Sequence, residues 1–190
     1  MKCKNALSKI NFQHEGTMRE FEVKNGERIN VDIYAILKSD WQQSLKKKYK
    51  MKTSTFLTFV GDQCGRAEKA INFYTSIFPN SEIKRIIKYA EGEPGGTPEL
   101  IKYGVFTLNG VAYGVSESNY NHAWSFSPGV SIWVECNTND EIQFLFEKLS
   151  SDGGQVMIPL DDYGSENYGF GKRFGWCQDR YGISWQLNLS

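Results

Sequence analysis

Ala70-Ile71-Asn72-Phe73-Tyr74-Thr75-Ser76-Ile77-Phe78 and Ile142-Gln143-Phe144-Leu145-Phe146-Glu147-Lys148-Leu149 decide the fold, because one apolar pattern appears in both. Ala70, Phe73, Tyr74, Ile77 and Phe78 fall at i, i+3, i+4, i+7 and i+8, the spacing of one helical face. Ile142, Leu145, Phe146 and Leu149 repeat that spacing 72 positions later, so that Ala70 aligns with Ile142 and Tyr74 with Phe146. Thr138 followed by Glu141 predicts a capping box at the second helix, hydroxyl and carboxylate each meeting a free backbone amide. Pro79-Asn80 stops the first helix and Gly153-Gly154 the second.

One strand-like run precedes each helix and three follow it. Thr55–Val60 leads the first, and Glu82–Tyr89, Leu100–Leu108 and Val111–Ser116 come after, with Asn109-Gly110 as a hairpin turn. Val130–Glu135 leads the second, followed by Gln155–Leu160, Lys172–Gln178 and Ile183–Leu189. A βαβββ order written twice is an α+β protein with its helices on one side of the sheet. Strand alternation predicts which side that is. Phe56/Val60, Val111/Tyr113/Val115, Val130/Ile132/Val134 and Ile183/Trp185/Leu187 share the side expected to meet the helices. The opposite side holds Thr55/Leu57/Phe59, Ala112/Gly114/Ser116, Ser131/Trp133 and Ser184/Gln186/Asn188, a mixture suited to a cavity wall or to a solvated face.

These elements resemble the PhnB-like subgroup of the vicinal oxygen chelate (glyoxalase/bleomycin resistance/dihydroxybiphenyl dioxygenase) superfamily. The carriers are Phe56-Leu57-Thr58-Phe59, Ala67 through Pro79, Leu108-Asn109-Gly110, Pro128-Gly129-Val130-Ser131 and, most specifically, Phe174 through Leu187. The resemblance implies two βαβββ modules, about 53–118 and 128–190, forming a curled mixed sheet with helices on its outer face and a ligand cavity inside. In the superfamily's metalloenzymes four His, Glu or Gln side chains hold a divalent ion. The matching positions here are Thr55, Gly114, Gly129 and Gln186, so the expectation is no metal and no cofactor. Subgroup members are sometimes described as ubiquinone-pathway methyltransferases. The Gly-rich stretch Glu91–Gly96 lies between two strands, not at the strand-to-helix turn that usually binds the methyl donor.

Composition bounds the rest. With 40% apolar and 14% aromatic residues the chain can build a core, and no apolar run is long enough to span a bilayer. Residues 1–50 carry 11 Lys/Arg against 6 Asp/Glu, and residues 51–190 carry 11 against 16, so a net +5 faces a net −5. The basic peak at Lys46–Lys50 reads as a solvated linker, and no nucleic-acid or membrane partner is expected. Four scattered cysteines and no secretion signal point to a cytoplasmic protein.

The first fifty residues read as an extension with a hairpin and a short helix. A three-residue loop, Asn25-Gly26-Glu27, would set Val23 against Ile29 and Phe21 against Val31. Ser39 would cap a helix running to Lys48, and Met51-Lys52 reads like a start of its own. The expected ligand-binding residues are Trp133, Gln186, Thr55, Phe59, Ser131 and Ser184. Cys177 is weighed as a nucleophile or a core thiol and His122 as a base or a surface residue. Asp161-Asp162-Tyr163-Gly164 through Tyr168-Gly169-Phe170-Gly171 is weighed as a lid or a plain connection. Three functions stay open: a metal-independent small-molecule protein of undefined reaction, a binder that sequesters a drug or metabolite, and a dimeric interaction protein. The expected partners are a small ligand and a second copy of the chain.

Overall fold

The computed structural model describes residue 7 and residues 12–48, 51–164 and 171–190, without the side chains of 46–48. The chain divides into two compact units, Met1–Thr53 and Ser54–Ser190. No helix among the described residues is long and apolar enough to cross a membrane.

The first unit is a hairpin of β1 (Gln13–Lys24) and β2 (Glu27–Ala35), followed by α1 (Lys38–Lys48). Two details differ from expectation. Lys24 pairs with Glu27 and Val23 with Arg28, so the turn has two residues, Asn25 and Gly26, both at positive φ. The preferred three-residue loop avoided scattering the apolar side chains; the chain instead shifts register between Met18 and Glu22, where Glu20 has a φ of 51°. Ser39 lies inside the first turn of α1, its hydroxyl on Asp40, and so does not cap it.

The second unit contains both βαβββ modules. The first runs β3 (Thr55–Phe59), α2 (Ala67–Ile77), β4 (Glu82–Lys88), β5 (Ile101–Leu108) and β6 (Val111–Glu117). The second runs β7 (Ser131–Cys136), α3 (Asn139–Ser150), β8 (Gln155–Asp161), β9 (Arg173–Gln178) and β10 (Ser184–Leu189). Their sheets have the same order, β3-β6-β5-β4 and β7-β10-β9-β8, with the first strand of each parallel to the last. The expected α+β class with two modules is what the chain adopts. Each module keeps its own four-stranded sheet, and β3 and β7 each end a sheet with one unpaired edge among the described residues.

The helices form where the sequence signals put them. Thr138 and Glu141 complete the capping box of α3, and Asn109 and Gly110 turn at positive φ between β5 and β6. At α2 no side chain of Arg66 caps the helix. Instead the buried carboxylate of Glu117 accepts from the amides of Gly65, Ala67 and Ile101 at 2.7, 3.1 and 2.8 Å. The helix faces and the inner sheet faces merge into one apolar cluster. Tyr74 and Phe78 of α2 lie against Trp185 of β10, with ring centroids 5.2 and 5.4 Å away.

β3 corrects the expected alternation. Leu57 and Phe59 enter the core, whereas Phe56 is half exposed. Its register explains why. Phe56 pairs with Gly114, and a Cβ on that glycine would meet the phenyl ring at 2.2 Å. The missing side chain leaves room for the ring on the face turned away from the core.

Candidate functional site

Two cavities open along the seam between the modules. The larger, about 700 Å³, lies between the end of α2 (Ser76–Pro79), the turn after β5, the edge of β7 and the first turns of α3. The smaller, about 410 Å³, lies between Thr55–Leu57, the loop at Ser125–Ser127, the start of β7 and Gly182–Ser184. Tyr113, Ile132 and Trp133 line both. Volumes of this size suit a small organic molecule.

Trp133 stands where the cavities meet, 48% exposed. Its Nε1 donates to Glu135 Oε2 at 3.0 Å, and its ring centroid is 6.0 Å from that of Phe174. Glu135 also accepts from Ser190 Oγ and from Asn188 Nδ2. The hydrogen bond from Ser190, with those from Trp133 and Asn188, holds the Glu135 carboxyl below the usual range, so it is anionic at neutral pH. A second polar chain crosses β9, β10 and β7. Trp176 Nε1 donates to Ser184 Oγ at 2.8 Å, Ser184 and Ser131 share a hydrogen bond at 2.7 Å, and Gln186 Nε2 donates to Ser131 Oγ at 3.1 Å. Strand register makes this possible, since Ser131 pairs with Ser184 and Gln186 lies between Trp133 and Trp176.

Four of the expected residues, Trp133, Ser131, Ser184 and Thr55, line the smaller cavity. Gln186 lines neither cavity but reaches the smaller one through Ser131. Phe59 is fully buried beneath the smaller cavity, edge-on to its lining residue Phe126 at 5.0 Å, because β3 turns its odd-numbered residues inward. Sequence reasoning missed Tyr113, Ile132, Glu135, Glu141 and Phe144, all at the larger cavity. Glu135 was discoverable: it stands two residues from Trp133 on the same strand face. The other four were read as helix-side or helical residues, and nothing local marks a seam between two modules.

The donor set does not fit a divalent ion. Of the matched positions Thr55, Gly114, Gly129 and Gln186, only the amide is a useful ligand. Among the described residues no three His, Cys, Asp or Glu side chains converge. Glu117, the one nearby carboxylate of β6, is spent on three amides. Cys177 is buried and burial, then Asp179, pushes its thiol up to about 12, which removes it as a nucleophile at neutral pH. His122 hydrogen-bonds Ser118 and packs on Trp124, lining neither cavity. Tyr168, Gly169 and Phe170 of the candidate lid lie outside the described residues.

Comparison with known proteins gives the family and the fold. The family described as 3-demethylubiquinone-9 3-methyltransferase matches residues 51–188. A PhnB protein of Bacillus cereus, described by the same activity, is 41% identical, with a TM-score of 0.65 over 74% of this chain and 100% of that one. A Pseudomonas aeruginosa protein shares the fold at 20% identity and a TM-score of 0.61, covering 74% of this chain and 98% of its own. A glyoxylase/bleomycin resistance protein/dioxygenase domain from Frankia shares it at 13% identity and a TM-score of 0.51, covering 75% and 93%. No functionally curated protein matches. The chain therefore belongs to the 3-demethylubiquinone-9 3-methyltransferase family, the PhnB-like branch of the vicinal oxygen chelate fold.

Proposed function

We propose that this chain is a cytoplasmic, homodimeric, metal-independent protein that binds a small, partly apolar molecule at the seam between its modules. The carrying observation is the junction at Trp133, where an aromatic cavity meets the hydroxyls of Ser131 and Ser184, already oriented by Gln186 and Trp176. Apolar walls with a few fixed polar groups are what a small-molecule site requires. The poverty of metal donors supports metal independence. Binding without turnover is the simpler reading, because the charged residues in the described lining of the two cavities are Glu135 and Glu141, which accept internal hydrogen bonds and form no acid–base pair with another described lining residue. Methyl transfer gains no support from these residues, as the described lining of the two cavities holds no Gly-rich strand-to-helix turn. The unpaired edges of β3 and β7, with half-exposed Phe56 and Trp133 beside them, support pairing with a second copy.

Titration calorimetry with a panel of small neutral amphiphiles tests the reading. Wild type should release heat with at least one of them, and Trp133→Ala should lose it while remaining folded. Absence of any response, in a protein that dimerises as its concentration rises, would favour the interaction-protein reading instead.

A further inference from the structure

We infer that the larger cavity selects an organic cation, an amphiphilic ammonium or phosphonium whose charge sits between Glu135 and Glu141. This inference rests on the seam being a ligand site and adds the charge class of the ligand. Among the described residues, Glu135 and Glu141 are the only charged side chains lining that cavity, and Lys, Arg and His are absent from that lining. Both carboxylates are fixed before any ligand arrives. Trp133, Asn188 and Ser190 hold Glu135 through both of its oxygens. Glu141 Oε2 accepts from the amides of Asn137 and Thr138, at 2.8 and 3.3 Å, as part of the capping box. An ionised carboxylate offers about four acceptor directions, so Glu141, with two amides on one oxygen, retains capacity for a ligand, whereas Glu135, already fully engaged, contributes its charge.

The uncharged walls point the same way. Trp133, Tyr113 and Phe144 supply aromatic surface, which attracts cations through the negative face of each ring. Phe144 already draws one: Lys148 Nζ lies 5.8 Å from its ring centroid, just outside the lining. Beyond the cavity, residues 54–190 carry 10 Lys/Arg against 16 Asp/Glu, and this net −6 draws cations toward the unit and repels anions. An anionic ligand of equal size would meet the two carboxylates with no basic group among the described lining residues to offset them.

Tetraphenylphosphonium and tetraphenylborate test this directly, being near-identical in shape and opposite in charge. In calorimetry on the full chain, the phosphonium should bind at least tenfold more tightly than the borate. Glu135→Gln combined with Glu141→Gln should weaken the phosphonium at least tenfold, and glutamine at the capping-box position keeps α3 capped. Val111→Trp, which fills the larger cavity from an exposed position without touching the smaller, should block the phosphonium. Equal affinity for the two probes, binding of neither, or undiminished phosphonium binding by the double variant would overturn the inference. Neutral amphiphiles binding in a Trp133-dependent way alongside any of those results would leave the seam as a ligand site and remove only its preference for cations.

Discussion

Tyr74 Oη donates to Asp179 Oδ2 at 2.7 Å, joining the helix of the first module to the β9–β10 turn of the second. Trp185 Nε1 reaches the same oxygen at 2.8 Å, and the amides of Tyr181 and Ile183 donate to Oδ1 at 2.8 and 3.0 Å. One buried carboxylate thus gathers four donors where the modules meet. Tyr74→Phe should cost about 2 kcal/mol, the value of a buried hydrogen bond to a charged group. Asp179→Ala should cost more, about 3–5 kcal/mol, since it leaves several buried donors unpaired. Urea unfolding followed by circular dichroism measures both. A loss under 0.5 kcal/mol in Asp179→Ala, if found, would mean the modules are held by apolar packing alone.

The same carboxylate carries a pH signature. Burial raises the Asp179 pKa above its ordinary 3.8, and its four hydrogen bonds only partly offset this. Across the window from that ordinary value up to the raised one, the folded chain holds a proton that the unfolded chain has released. Asp179 therefore contributes a loss of stability as pH rises through the window, and none of it is present below 3.8. Asp179→Asn abolishes this dependence. The stability difference between wild type and Asp179→Asn, followed from pH 3 to 7, should shift against wild type as pH rises. A constant difference would contradict the raised pKa.

Gly114 and Phe56 should be energetically coupled. Gly114→Ala places a methyl group where the phenyl ring now lies, at a cost of about 1–3 kcal/mol as the ring is displaced. In a Phe56→Ala background the same substitution should be nearly neutral. A double-mutant cycle measures the coupling, and additive costs would show that the ring yields freely.

Glu117 is a buried cap in place of a conventional one. Glu117→Ala should destabilise by about 3 kcal/mol or more, because three amides at the start of α2 and β5 lose their acceptor. Glu117→Gln, which keeps an acceptor oxygen, should recover part of that loss. Identical stability of the two variants would argue against the capping role.

Much of this arrangement is written in the sequence, and the misread facing of β3 has a definite origin. The 72-residue offset aligns α2 with α3 and sets Tyr113 against Trp185, and both pairs occupy equivalent positions in their modules. The strands before the helices obey a different offset. Phe56 opposite Gly114 corresponds to Trp133 opposite Gln186, a separation of 77, whereas matching Val60 to Val134 implies 74. A shift of three residues reverses the facing of a strand. Thr55-Phe56-Leu57-Thr58-Phe59-Val60 offers apolar side chains on both faces, so periodicity could not detect the error. Trp133, Ser131 and Ser184 were legible because β7 and β10 alternate cleanly. Glu141 was legible only as a cap, because its second position at a cavity depends on how two modules pack.

Native mass spectrometry of protein purified without chelator or metal-affinity resin tests the central claim most directly. The account predicts a mass surplus that dissociates as an organic molecule under mild activation, is absent from Trp133→Ala, and leaves a chain free of divalent ions. One zinc, iron, manganese or nickel ion retained per chain would contradict it.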